Sequence, residues 1–226
     1  MNRHISEQFD EELEALRKQL LEMGGLVERQ IDMACRALIA HDIDLADEVR
    51  VMDGTVNAYE VAIDDQVIHV IARRQPTATD LRTLICIMKA STDLERMGDE
   101  SDRIAKMAQG MGRLPFPPDQ YKHVREMSQQ VRRMVTNVLD AFARNDSTAA
   151  QQVIADDRSV DDQYREATAY QLLQLKENPE QAERSMNTLW TLRALERIGD
   201  HAKNIGEQVV FKVLGEDVRH PDKTAR

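Results

Sequence analysis

Apolar residues recur in steps of three and four along almost the whole chain, a spacing that places them on one face of an α-helix. In the first half this pattern predicts three helices. The first starts at Ser6, a suitable N-cap, and runs to about residue 40. The second ends before Pro76, and the third runs from Pro76 to about residue 110.

The second half repeats this order of helices after the cluster of Pro and Gly at 110–119. Two helices are predicted over about 119–143 and 147–177. Asn178 and Pro179 then open a third. Each half of the chain is therefore expected to contain three helices.

One sequence stands in both halves. LERMGDESDRIAK at 94–106 returns as LERIGDHAKNIGE at 195–207, 101 positions later. The preceding helices also align, with Asp53 matching Asp157 at an offset of 104. Two copies of a three-helix unit with small loop deletions explain both offsets. The sequence predicts an all-α fold of two tandem three-helix bundles related by internal duplication.

The Pro-rich segment sets the predicted domain boundaries. The first bundle covers 1–110, a linker covers 111–118, and the second bundle covers 119–217, followed by a flexible C-terminal tail at 218–226. The 9 glycines, 6 prolines and 4% aromatic residues agree with long helices rather than sheets.

The net charge of −10 makes nucleic acid an improbable partner, because phosphate backbones require clustered Lys and Arg. No signal-peptide pattern and no apolar run near 18 residues is present, which predicts a cytoplasmic protein that meets membranes only through partners. Cys35 and Cys86 lie in apolar helical stretches, where reduced core cysteines are expected.

The repeated sequence places two carboxylates four residues apart on a helix. Glu95 and Asp99 form this pair in the first half, and Glu196 and Asp200 form it in the second. Like charges at this spacing lie on one face and repel by about 0.2–0.5 kcal/mol in an isolated helix. The acids also continue a face that begins with apolar residues, so positive partners are expected nearby, either Arg and Lys or a metal.

The preceding helix of each half offers oxygen ligands at the same spacing, Asp53 with Asn57 and Asp157 with Asp161. If these helices pack antiparallel, the two faces meet and can surround a cation with four or more oxygens. Such a set suits Mg²⁺, Mn²⁺ or Ca²⁺, and bridging carboxylates also hold iron or zinc. The pattern predicts a metal site without selecting the metal.

Two alternatives compete with this prediction. In a helical scaffold, arginines neutralise the acids and set the register of the helices. The arginines available for this are Arg73, Arg74, Arg96, Arg103, Arg193 and Arg197. In a bundle-type metalloenzyme, histidine ligands are expected, but Glu-x-x-His is absent from the chain, as are a P-loop and a GxSxG motif.

Neighbours of the repeated acids carry further expectations. Arg96 and Arg197 follow the glutamates and are expected to bond across to neighbouring helices or to loop carbonyls. His201 points about 100° away from the acidic face and is expected at the surface. Gly98 and Gly199 are candidates for a close approach of another helix.

The residues that carry the strongest resemblance are IARRQPTATDLR at 71–82 and the two LERxGD copies. With HISEQFDEELEALR at 4–17 and MGGLVE at 23–28, they make the chain similar to the PhoU family of bacterial phosphate-transport regulators over almost its whole length. The resemblance implies multinuclear metal clusters at the E/DxxxD positions. Because Asn57 departs from DxxxD, it also implies weaker binding in the first half or use of Asp102.

The same resemblance implies a role. Members of the family act without catalysing a reaction, lower phosphate uptake and repress phosphate-starvation genes when phosphate is ample. The implied partners are the ATPase of the phosphate ABC transporter, the sensor histidine kinase of the phosphate two-component system and a second copy of the chain.

Overall fold

The computed structural model describes residues 2–110 and 121–219, and these contain helices but no strand. The first half holds three long helices, and the second half holds three more with a short 3₁₀ turn at Pro179–Gln181 before the last. The helices are α1 (Asn2–Ala40), α2 (Ile43–Arg74), α3 (Ala78–Gly110), α4 (Lys122–Arg144), α5 (Ser147–Glu177) and α6 (Ala182–Leu214). The predicted all-α fold class is confirmed.

The ends of equivalent helices are fixed by equivalent residues. The carboxylate of Asp42 accepts from the backbone N–H of Leu45 at 3.0 Å and caps α2. Asp146 accepts from Ala149 at 2.9 Å and caps α5 in the same way. The predicted N-cap at Ser6 is wrong, since α1 already begins at Asn2 and no Gly or Pro precedes Ser6 to interrupt it.

Within each half the three helices pack on one another, and the halves meet where α3 lies against α6 and α1 against α4. Buried apolar side chains from both halves form one continuous core, for example Leu20 and Leu94 with Val131 and Leu195. None of the described helices carries an apolar stretch long enough to cross a bilayer.

The predicted linker at 111–118 lies outside the described residues, as does most of the predicted tail at 218–226. Of that tail, Val218 packs against the core. Cys35 and Cys86 are free and buried as expected, and burial raises the pKa of the Cys35 thiol to about 12 and that of Cys86 to about 11. The domain boundaries stay a prediction.

Two matched glycines set the distance between the helices that carry the acids. A Cβ added at Gly98 would lie 3.3 Å from Val56 Cγ1, and one at Gly199 would lie 3.3 Å from Val160 Cγ1. Val56 and Val160 match in the repeat. The close approach of α2 to α3 and of α5 to α6 therefore depends on the absence of a side chain at these positions.

Gly199→Val is expected to lower the free energy of unfolding by about 1–3 kcal/mol, because the added methyl groups overpack against Val160. Gly25→Ala is the matched control, since Gly25 faces open space in α1, and alanine there should stabilise by about 0.5–1 kcal/mol. Urea unfolding followed by circular dichroism measures both. Equal stability of the Gly199→Val and wild-type proteins would contradict the close contact.

Candidate metal centres

The first centre lies between α2 and α3, which run antiparallel on either side of a short connection. The pKa of Glu95 is raised by burial and by the nearby charges of Asp99, Glu60 and Asp53. The pKa of Asp53 is raised by burial and by Asp102 and Asp99. The predicted acids of the two helices therefore face each other.

Amide groups complete this first centre. Asn57 Nδ2 donates to Asp53 Oδ2 at 3.4 Å, and Gln30 Nε2 of α1 donates to Asp53 Oδ1 at 3.4 Å. Asn57 Oδ1 is buried and has no hydrogen-bond partner. An unmatched buried oxygen costs about 1–3 kcal/mol, so this atom is one that a cation would stabilise.

The second centre places all four of its predicted acids together. Asp157 of α5 and Glu196 of α6 are only 4% and 9% exposed. The pKa of Glu196 is raised by burial and by Asp200, Asp161 and Asp157. The pKa of Asp200 is raised by burial and by Asp157 and Asp161, against a lowering by Lys203. Four mutually repelling carboxyl groups thus share one partly desolvated groove.

The acidic face of α3 lies at the edge of the core and does not continue its centre. Leu81 and Thr92 precede Glu95 on its predicted face, and both are exposed. The core instead takes the adjoining face of α3, with Leu84 and Leu94 fully buried. The face of α6 differs, because Leu192, one turn before Glu196, is fully buried.

Cations stand beside both centres. In the first, Arg96 lies 3.5 Å from Glu95 and 3.7 Å from Asp99, with its side chain 58% exposed. Asp102 is paired with Arg50 at 3.4 Å and with Lys106.

In the second centre, Arg193 donates to Glu196 Oε1, and Lys203 Nζ donates to Asp157 Oδ2 at 2.7 Å. The other carboxylate oxygen of Glu196, Oε2, is buried without a hydrogen-bond partner. The set of donors is almost wholly carboxylate oxygen, which fits a hard divalent or trivalent cation.

Within the described residues, no group of three or more His, Cys, Asp or Glu side chains is arranged to hold an ion as it stands. An ion would draw the carboxylates of facing helices together and replace the cationic side chains now beside them. The crowding of the acids and the two buried oxygens without a hydrogen-bond partner, Asn57 Oδ1 and Glu196 Oε2, show that the residues present suit a cation.

The neighbouring arginines behave differently from one another. Arg197 bonds across the bundle interface to Glu100 of α3 at 2.7 Å, as predicted. For Arg96 the prediction is wrong, because its guanidinium stays with the acids of its own helix. Of the other arginines considered as partners, Arg103 also pairs with Glu100, and Arg74 pairs with Glu12 of α1.

The expectation of a surface position for His201 is also wrong. His201 Nδ1 lies 2.9 Å from Asp93 Oδ1 across the interface between α6 and α3. Asn204 donates to the same oxygen at 3.0 Å. The face of α6 that points away from the acids packs against the other bundle. A residue on that face, such as His201, therefore lies at the interface between the two bundles.

Two acids near the first centre were missed by sequence reasoning. Glu60 follows Asn57 by three residues on α2 and raises the pKa of Glu95. Asp64 follows by another turn, and burial and the charge of Glu60 raise its pKa. The steps of four, three and four from Asp53 were a visible signal for both residues.

The family model of the PhoU domain matches the chain twice, at residues 20–108 and 124–209. The chain is 46% identical over 220 residues to the phosphate-specific transport system accessory protein PhoU homolog of Pseudomonas aeruginosa, covering 97% of this chain and 91% of that protein. It is 38% identical to the accessory protein PhoU of Escherichia coli over the same shares of the two chains.

Two crystal structures resemble the whole fold. PhoU from Pseudomonas aeruginosa aligns with a TM-score of 0.88 at 44% identity, over 92% of this chain and 100% of that one. The phosphate transport system regulatory protein PhoU from Streptococcus pneumoniae aligns with a TM-score of 0.86 at 28% identity, over 93% and 99%. The order and packing of the six helices are thus shared with both.

Proposed function

The chain belongs to the PhoU family, and from this we propose that it is a negative regulator of phosphate uptake and of phosphate-starvation signalling. The observation that carries the proposal is the agreement of the chain, in both halves and over 97% of its length, with relatives named phosphate-specific transport accessory proteins. A structural relative is described as a phosphate transport regulatory protein. Proteins of this family are regulatory or accessory proteins and not enzymes.

The mechanism we propose is that of an adaptor in the cytoplasm. One surface binds the ATPase of the phosphate ABC transporter and another binds the sensor histidine kinase, with a homodimer as the working form. When phosphate is ample, the adaptor holds both partners in their inhibited states. Long rigid helices with a shared core suit this role because they keep separate surfaces in fixed relation.

Metal ions are proposed as part of the working protein. The residues that would hold them are Asp53, Asn57, Glu95, Asp99 and Asp102 in the first centre and Asp157, Asp161, Glu196 and Asp200 in the second. A bound ion supplies positive charge that offsets the repulsion between these carboxylates and joins α2 to α3 and α5 to α6. Mg, Mn, Fe and Zn all remain open.

Deletion of the gene in its host is expected to derepress phosphate-starvation genes in high-phosphate medium, since the inhibited kinase state is lost. A reporter fused to a starvation promoter measures the effect, and the same reporter in low phosphate is the control. A plasmid copy of the wild-type gene should restore repression. Full repression in the deletion strain would contradict the regulatory role.

The scaffold alternative keeps one observation in its favour, namely the bonds of Arg193 and Lys203 to acids of the second centre. A metalloenzyme has no such support. Binding of metal to the acids separates the scaffold from the metal-bound regulator, and the experiment is described in the Discussion.

A further inference from the structure

The two centres differ at two matched positions of the repeat, with Asn57 against Asp161 and Asp102 against Lys203. Lys203 in α6 occupies the place of Asp102 in α3, 101 residues earlier. The first centre therefore has an additional carboxylate where the second has an ammonium group. Internal duplication supplies the comparison, because Asp53, Glu95 and Asp99 match Asp157, Glu196 and Asp200.

The ammonium group of Lys203 lies among the acids of the second centre. Its Nζ donates to Asp157 Oδ2 at 2.7 Å, and the side chain of Asp157 is only 6% exposed. The charges of Asp200 and Glu207 also act on Lys203. A short, charge-assisted bond to a buried carboxylate is much stronger than an exposed ion pair.

The first centre has no equivalent lysine bond to Asp53, the residue that matches Asp157. Asp53 is bonded by the neutral amides of Gln30 and Asn57. The nearest cation to Glu95 and Asp99 is Arg96, which is more than half exposed and lies at 3.5–3.7 Å. Asp102 has Arg50 and Lys106 as partners, but both of these side chains reach in from the exposed surface.

We propose that Lys203 is an internal competitor for metal in the second centre. In the metal-free protein its ammonium group neutralises Asp157, and an ion enters only by displacing it. The first centre has Asp102 in the matched position, and Asp53 is bonded there by neutral amides and not by a lysine. The inference rests on the proposed metal binding and goes beyond it by naming the residue that lowers the affinity of the second centre.

The competition has a quantitative consequence. An ion that binds only the lysine-displaced state loses apparent affinity by the fraction of time that this state is populated. A charge-assisted bond to a buried carboxylate makes that fraction small, so removal of the ammonium group should strengthen binding at the second centre by about tenfold or more.

The test is a titration of the full, chelator-treated chain with Mn²⁺, in which electron paramagnetic resonance counts the free ion. The wild-type protein is expected to bind in two phases. Lys203→Met should move one phase to about tenfold lower free Mn²⁺ and leave the other phase in place. Lys18→Met, on the exposed surface of α1, is the control and should move neither.

Thermal unfolding distinguishes competition from a structural role. Lys203→Met should lower the melting temperature of the metal-free protein, because Asp157 is left buried and unpaired. Saturating Mn²⁺ should reverse this loss and raise the melting temperature to that of the saturated wild type or above. A merely structural lysine would lower both values.

The reciprocal variant keeps the test decisive if Lys203→Met fails to fold. Asp102→Lys places a lysine in the first centre and should shift to higher free Mn²⁺ the phase that Lys203→Met leaves in place. Two phases that neither variant moves would overturn the role of Lys203 while leaving metal binding intact. A wild-type protein that binds no Mn²⁺ at all would overturn both the metal centres and the competition.

Discussion

The double variant Glu95→Gln plus Asp99→Asn is expected to lose metal from the first centre and yet to be more stable than the wild type when both are metal-free. Burial and three neighbouring acids raise the pKa of Glu95, so its charge is held at a cost in the folded state. The neutral amides keep the shape and remove the repulsion. We expect the free energy of unfolding of the metal-free protein to rise by about 0.5–1.5 kcal/mol.

The variant is expected to lose metal and to gain stability, and this combination distinguishes the metal-bound regulator from the scaffold. If Arg96 and the acids only held the helices in register, the variant would lose stability and its metal content would match that of the wild type. Elemental analysis of the purified proteins and urea unfolding after chelation give the two numbers. A variant that retains wild-type metal content would exclude the first centre.

A matched control is available on α5, where Asp162 and Glu166 are an exposed acidic pair at the same spacing. Asp162→Asn plus Glu166→Gln removes the same charge and should leave metal content unchanged. Its free energy of unfolding should change by no more than about 0.5 kcal/mol, as at most exposed positions. A similar rise in the free energy of unfolding of both double variants would show that the change in net charge, and not the repulsion within the first centre, causes the stabilisation.

Helix periodicity and the internal repeat were sufficient to predict the fold and the meeting of the acids. The short connection between α2 and α3 makes them antiparallel, so Asp53 and Glu95 can face each other only if their registers agree. Because of the repeat, Asp157 and Glu196 are expected to face each other in the same way. In the structure the charge of Asp157 does raise the pKa of Glu196. Local spacing therefore carried the information on which helix faces meet.

The contacts between the halves could not be obtained in this way. Periodicity describes one helix against its own bundle, whereas the contact of His201 with Asp93 and the choice of Glu100 as the partner of Arg197 are set by the packing of α6 against α3. The bond of Lys203 to Asp157 depends on the path of a long flexible side chain, which spacing does not specify. Of these three residues, Lys203 is the one that bonds to an acid of the second centre.

A buried lysine at the end of α6 was missed although the spacing indicated it. Lys212 follows Ile205 and Val209 in steps of four and three, and both are buried in the core. Lys212 is 5% exposed, with Nζ 3.8 Å from the centre of the Phe142 ring and donating to the Phe142 carbonyl at 3.3 Å. The charge of the residue masked its core position.

Lys212→Met is expected to stabilise the protein at pH 7, because burial and the charge of Arg17 lower the pKa of the lysine from 10.5 to about 8, against the smaller opposing effects of Cys86 and Glu14. Below pH 8 both folded and unfolded states carry the proton, and the folded state bears a cost of up to about 3 kcal/mol. Methionine removes this cost and keeps an apolar contact with Phe142.

The gain from Lys212→Met should shrink as the pH rises. Above pH 8 the folded wild-type protein releases the proton while the unfolded chain keeps it up to 10.5, so the stability of the wild type rises with pH in this window. Burial raises the pKa values of the Cys35 and Cys86 thiols, so these two groups lower the stability of the folded protein as the pH rises above about 9.

Because the thiols are present in both proteins, the difference between variant and wild type isolates the lysine. Urea unfolding at pH 7, 8 and 9 should give a difference of up to about 3 kcal/mol at pH 7 that declines by about 1 kcal/mol or more by pH 9. Lys18→Met, with its side chain 77% exposed, should give a difference near zero at each pH. A constant difference for Lys212→Met across the three values would show that packing against Phe142, and not the buried charge, sets the energy at this position.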